Sequence, residues 1–175
     1  MKHLKLTGLL VVLLISLFAI QLPVRGEAQI VQVCPQRITF DIGGNSLKIP
    51  YCRNYPLGER NEIVERAVIV IHGTNRTADS YYSYVLNAAV QAGADAKTII
   101  LAPQFLIEDD IVSFNLGDDT LFWTNNGWKQ GDESQSTIQH PRPASISSFS
   151  VIDTILERLS NRDKFPNLTK IVIAG

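Results

Sequence analysis

Hydrophobic and polar positions change their period several times along this chain, and each change marks an element. Residues Leu9 to Ile20 are apolar almost without interruption. Arg37 to Asp41 and Ser46 to Tyr51 are short runs of β-prone residues on either side of Gly43, Gly44 and Asn45. Those three residues tolerate positive φ, which predicts a turn and hence an antiparallel hairpin. After the polar stretch Gly58 to Glu65, the apolar residues Ala67 to Ile71 follow one another without alternation and stop at His72 and Gly73. A run of that kind is buried on both faces, as in a parallel sheet.

Tyr81, Tyr84, Val85, Ala88 and Ala92 then recur at helical spacing, with Thr77 or Asp79 to cap the start and Gly93 to end the helix. A strand over Thr98 to Ala102 stops at Pro103. Strand, helix and strand within about 35 residues is the length of a right-handed βαβ unit, so the expected fold class is α/β. From Gln104 to Ala144 no period persists, and a stretch of that length in a compact domain is a functional loop or an excursion over the end of the sheet. Ser147 or Ser148 opens a second helix with Phe149, Ile152, Ile155, Leu156 and Leu159 on one face, and Pro166 marks its end. Leu168 to Ala174 form a further apolar strand that finishes at Gly175. A buried parallel strand there lacks the helix that covers a sheet face. We therefore expect residues 29–175 to be the N-terminal portion of one longer domain, a small three-layer domain being the alternative.

Composition changes the picture mainly by exclusion. Sixteen Lys and Arg against seventeen Asp and Glu leave a net charge of -1, without the basic footprint that grips a phosphate backbone, so no nucleic-acid partner is expected. Two cysteines and three histidines lack the paired spacing of a structural zinc site, and nothing calls for a metal or cofactor. The seven acids Glu108, Asp109, Asp110, Asp118, Asp119, Asp132 and Glu133 match no calcium loop and read as a solvated acidic surface. At the N-terminus, Lys2, His3 and Lys5 precede the apolar run, and Gly26 and Ala28 stand at the -3 and -1 positions of a cut before Gln29. The run reaches only about 18 Å against the roughly 30 Å of a hydrocarbon core. Residues 1–28 therefore read as a cleaved signal peptide of a secreted or periplasmic protein, with an uncleaved membrane anchor as the alternative. In such an oxidising compartment Cys34 and Cys52 are expected to pair across the hairpin; two separate buried thiols are the other possibility.

The apolar run closing on His72, Gly73, Thr74 and Asn75, read together with the hairpin before it, the helix and strand after it, the long excursion and the strand running into Gly175, resembles the N-terminal half of a secreted bacterial α/β-hydrolase-fold serine hydrolase. The likeness also rests on Phe122, Trp123, Asn126, Gly127, Trp128 and Gly131, and on Ser147 to Phe149 with Phe165 and Pro166. The resemblance implies that the His72–Asn75 loop supplies an oxyanion-hole N–H and that Gly175 is the first glycine of the G-x-S-x-G nucleophile elbow. It also implies that the Ser, Asp or Glu, and His of the triad all lie beyond Gly175, so no catalytic residue is expected in the visible chain. Trp123 and Trp128 could line a substrate cleft or pack the excursion onto the sheet. The implied partner is a small-molecule or polymeric ester. Two other readings stand beside it: a nucleotide-binding α/β domain whose phosphate loop begins at Gly175, and a non-catalytic binding module on the same fold.

Overall fold

The computed structural model describes residues 32–175, so the signal peptide read from residues 1–28 lies outside the described residues. The fold is mixed α/β. Its elements are β1 (Gln36–Ile42), β2 (Asn45–Arg53), β3 (Arg66–Val70), α1 (Ala78–Gln91), β4 (Thr98–Pro103), α2 (Glu108–Ser113), α3 (Ser148–Ser160) and β5 (Lys170–Ala174). All five strands form one sheet in the order β1-β2-β4-β3-β5. β1 and β2 are the expected hairpin: Gly43 and Gly44 take φ of 56° and 82°, the two positive values a two-residue turn of matching twist requires. β2 lies antiparallel to β4, whereas β3 runs parallel to both β4 and β5.

From β3 the chain crosses through α1 to β4 on one side, and from β4 it crosses back through α3 to β5 on the other. Right-handed crossovers that step in opposite directions must lie on opposite faces of a sheet. The packing agrees. Tyr81, Tyr82 and Val85 of α1 sit with Val70, Ala102 and the two cysteines, while Val151, Ile155 and Leu159 of α3 pack with Ile69, Leu101 and Ile49. Because neighbouring residues of a strand face opposite ways, Ile69 and Val70 mark the two sides. The connections leaving β3 and β4 diverge at their carboxyl ends, which opens a crevice at a topological switch point.

Several details differ from the sequence reading. α1 turns Ala78, Tyr81, Tyr82 and Val85 to the sheet and leaves Tyr84, Ala88 and Ala92 exposed; tyrosines at three neighbouring positions and indifferent alanines do not single out one face. Thr77 stands at the N-cap without a side-chain bond. Gly93, at φ 62°, ends the helix as expected, its N–H reaching Val90 O while the Ala94 N–H reaches Ala89 O. Ser147 caps α3 by accepting from the Phe149 N–H, but Phe149 itself is exposed and Val151 takes its place in the core. That helix stops at Ser160 and not at Pro166, because the Asn161 carbonyl turns to accept from Lys164 and Phe165. β5 is no buried strand: it is the sheet's edge among the described residues, with Val172 and Ile173 about half exposed. The unpatterned stretch holds α2 and a single 3₁₀ turn, Gly127–Lys129, and sends Phe105, Leu121, Trp123 and Trp128 into the main core.

Cys34 and Cys52 are joined. Their sulfurs tie the segment before β1 to β2 within the α1-side core. Closing a loop of this size contributes about 3 kcal/mol through the unfolded chain. Thiol labelling of the denatured, unreduced protein is therefore expected to be negative. Denaturant titration with and without reductant should differ by that amount; two reactive thiols without reductant would contradict the bond.

Candidate functional site

The crevice is built from the residues just past the strands. β3 ends into His72, which is 3 % exposed. Its Nε2 accepts the Phe105 N–H at 2.9 Å, across the gap to the end of β4. A ring nitrogen that accepts carries no proton, so the hydrogen sits on Nδ1 and is donated to Gly73 O at 2.9 Å. Burial pushes the imidazole pKa down to about 4, with the Arg76 cation adding to the effect and the bond to Gly73 O opposing it. His72 is therefore a neutral clamp between two strand ends, with both nitrogens engaged.

The loop after His72 is held from beneath. Arg76, at φ 58° and 1 % exposed, places its guanidinium against Asp110, with Nε to Oδ2 at 2.7 Å and Nη2 to Oδ1 at 3.2 Å. The remaining nitrogen, Nη1, donates to Thr74 O and to Asn125 Oδ1. Asp110 also accepts from the Ile107 N–H, which orders the start of α2. Gln104, fully buried, donates to Arg76 O and to Gln32 O, and accepts from the Cys34 N–H. The backbone N–H groups of Gly73, Thr74 and Asn75 find no acceptor among the described residues, and Thr74 and Asn75 are exposed. A rigid loop with free, adjacent N–H groups can stabilise negative charge on a ligand oxygen.

A Cβ on Gly73 would stand 2.8 Å from the Tyr81 hydroxyl of α1, so a larger residue there requires the end of the Tyr81 side chain to shift. Gly175 is as tightly placed. The β3–β5 register pairs Val70 with Ala174, the Ile71 N–H donates to Ala174 O at 2.7 Å, and a Cβ on Gly175 would meet Ile71 Cβ at 3.1 Å. The structure thus brings His72, Gly73, Thr74, Asn75 and Gly175 to one end of two adjacent strands.

Both tryptophans are buried. Trp123 donates from Nε1 to Asp132 O, and Trp128 stacks on Phe105, the rings 5.6 Å apart and nearly parallel, and lies 4.6 Å from the His72 ring. Trp128 also lines an apolar groove of about 560 Å³ that begins at Ile71 and runs along α3, whereas Trp123 edges a smaller hollow with Asn125 and Thr137. Of the seven acids read as a solvated surface, Asp110 is the exception: it is 1 % exposed, because it neutralises Arg76. Sequence reasoning missed Arg76, Gln104 and Phe105. A lone arginine two residues beyond Thr74 gave no signal of its partner 34 positions away.

No family model, no curated protein and no solved structure matches the chain, so its chemistry rests on this geometry.

Two outcomes follow from the buried charges. Asp110→Ala, which strands the Arg76 cation, should cost about 3–5 kcal/mol, and replacing the pair together by Met and Leu should recover most of it. Denaturant unfolding of the single and double variants checks both. His72 is neutral when folded and has an ordinary pKa of 6.5 when unfolded, so the unfolded chain alone takes up its proton between pH 6.5 and about 4. Its contribution, about 3 kcal/mol, should be complete above pH 6.5 and disappear as the pH falls toward 4. His72→Gln should flatten that part of the stability profile; an unchanged slope would show that the imidazole is not held neutral.

Proposed function

We propose that this chain is the oxyanion-loop half of an exported α/β-hydrolase-fold serine hydrolase acting on esters, with the nucleophile two residues beyond Gly175 and the acid and base of the triad further on. The observation that carries the reading is the β3–β5 register. Adjacent strands lie about 4.8 Å apart, so residues continuing from Gly175 emerge beside the loop whose Gly73, Thr74 and Asn75 N–H groups are without acceptors. A serine oxygen adding to an ester carbonyl there, its proton passing to the general base, would put negative charge on the carbonyl oxygen within reach of these donors. Such a donor, fixed before the reaction, is worth about 3 kcal/mol in the transition state.

Three further features support the reading. A leading antiparallel hairpin followed by parallel strands with crossover helices is the arrangement the resemblance implies. The Cys34–Cys52 bond fits an oxidising compartment. His72, with both nitrogens committed and its pKa near 4, acts as a support for the loop and leaves the role of general base to another residue.

The test begins with the gene: a serine is expected two residues after Gly175 and a glycine two residues after that. The protein carrying them should turn over nitrophenyl esters and be inactivated by a serine-directed phosphonate. Gly73→Val, which drives a side chain into Tyr81, should lower kcat by about a hundredfold with a smaller change in KM. A gene without that serine, or a phosphonate-insensitive protein without turnover, would favour the binding-module reading instead.

A further inference from the structure

One side chain joins the disulfide to the candidate oxyanion loop. Gln104 lies fully buried just past β4, with both its oxygen and its nitrogen engaged. Its Oε1 accepts the Cys34 N–H at 2.8 Å, and its Nε2 donates to Gln32 O at 3.1 Å and to Arg76 O at 2.9 Å, which uses both amide hydrogens. Arg76 O also accepts the Ala78 N–H at 3.0 Å, so the residue at positive φ is held from the start of α1 and from Gln104 together. Residues 32–35, which supply two of the three Gln104 partners, belong to no helix or strand. Their covalent tie is the Cys34–Cys52 bond to β2, helped by Val33 packing beside Leu106 and Phe122.

We propose that the candidate oxyanion loop is assembled only in the disulfide-bonded chain, with Gln104 as the positioning residue that passes the redox state of Cys34 and Cys52 on to Arg76. As two thiols, the cysteines leave residues 32–35 without their covalent anchor. Gln104 then loses the Cys34 N–H and Gln32 O, and a buried amide with an unmet donor and acceptor costs about 1–3 kcal/mol. Turning toward water removes that cost and also breaks the bond to Arg76 O. A residue with a Cβ keeps positive φ only where its surroundings over-determine it, so the turn from Gly73 to Arg76 loosens. Forming the disulfide removes two protons and two electrons, which a disulfide-bearing oxidant takes up by thiol–disulfide exchange. Cys34 is 0 % and Cys52 6 % exposed, so a reductant does not reach the finished bond and the control acts when the bond is made. Such a chain stays slack at its site until it enters an oxidising compartment. The link follows from the bonding itself, while its meaning for ester hydrolysis rests on the function proposed above.

Amide hydrogen exchange of the full chain reads the loop without any turnover. The chain is compared oxidised, refolded in dithiothreitol, and oxidised with Gln104→Met, a side chain of similar shape that makes none of the three bonds. The reporters are the N–H groups of Arg76 and Ala78, bonded to Gly73 O and Arg76 O. Both should exchange about tenfold faster in the reduced chain and in oxidised Gln104→Met, the effect of losing one hydrogen bond that keeps the turn closed. Turn amides exchange by local opening, so the lower global stability of the reduced chain does not by itself speed them. Gln104→Met in the reduced chain should add little, because both changes break the same link.

Turn amides that exchange equally in the oxidised and reduced chains, or that stay as slow in oxidised Gln104→Met as in the unsubstituted chain, would overturn the proposal. So would full additivity of the two changes, because the loop would then sense the bond by another route. Should the reduced chain fail to fold, oxidised Gln104→Met decides alone: faster exchange upholds the link and unchanged exchange refutes it. Coupling in a protein that turns over no ester would remove the hydrolase reading and keep the link. Ester turnover by the chain refolded in reductant, at the rate of the oxidised one, would do the reverse.

Discussion

Arg76 and Asp110 meet where water does not reach, and the end of the sheet is organised around them. A guanidinium brought into that position alone would be prohibitive to desolvate, so the loop after β3 can close only when the start of α2 supplies the carboxylate. The pair is also what holds Arg76 at positive φ, a backbone state that a residue with a Cβ leaves unless its surroundings dictate it. Its value lies less in net stability, which a hydrophobic pair could match, than in permitting one arrangement of the loop. From this contact the constraints spread outward to the Thr74 carbonyl, to Asn125, and through Gln104 to the segment bearing Cys34.

Two neutral devices complete the support. His72 spans the ends of β3 and β4 with an acceptor on one nitrogen and a donor on the other, and Gln104, just past the end of β4 and one residue before Phe105, spans the same gap. Both are amphoteric side chains whose bonds can be satisfied from two directions at once, which suits them to a position between diverging connections. The consequence is that the N–H groups of Gly73 to Asn75 are left unpaired on a backbone that has little freedom to move. A site of this kind stabilises charge without reorganising, the condition under which hydrogen bonds matter most to a reaction.

The two faces of the sheet are unequal. On the α1 side, the small residues Ala78 and Ala102 pack with Val70, and the disulfide ties the segment before β1 to β2. On the α3 side Phe105 stacks on Trp128 and meets Trp123 edge-on, and a groove beside them continues toward the exposed β5. Apolar groove walls and free loop N–H groups therefore lie near the carboxyl ends of β3 and β5. The switch point between β3 and β4 lies beside them, because the connections leaving those two strands go to opposite faces of the sheet.

Much of this fold was legible along the chain. Uninterrupted apolar runs mark β3 and β4, paired glycines mark the hairpin, Gly93 and Ser147 mark helix boundaries, and the two cysteines straddle a turn that brings them together; each is a local rule, decided by a residue and its near neighbours. The loop His72–Asn75 could be singled out for the same reason, since a glycine after a buried strand speaks for itself. What the sequence could not determine was long-range: which face of α1 turns inward, that β5 pairs with β3 at the sheet's edge, that Asp110 leaves the acidic surface to meet Arg76, and that Phe105 donates its N–H to His72. Those facts depend on charges and hydrogen-bonding groups far apart in sequence sharing one desolvated place. The energy of an ion pair or an unpaired donor changes several-fold with burial, and burial is a property of the assembled layers that no single segment carries.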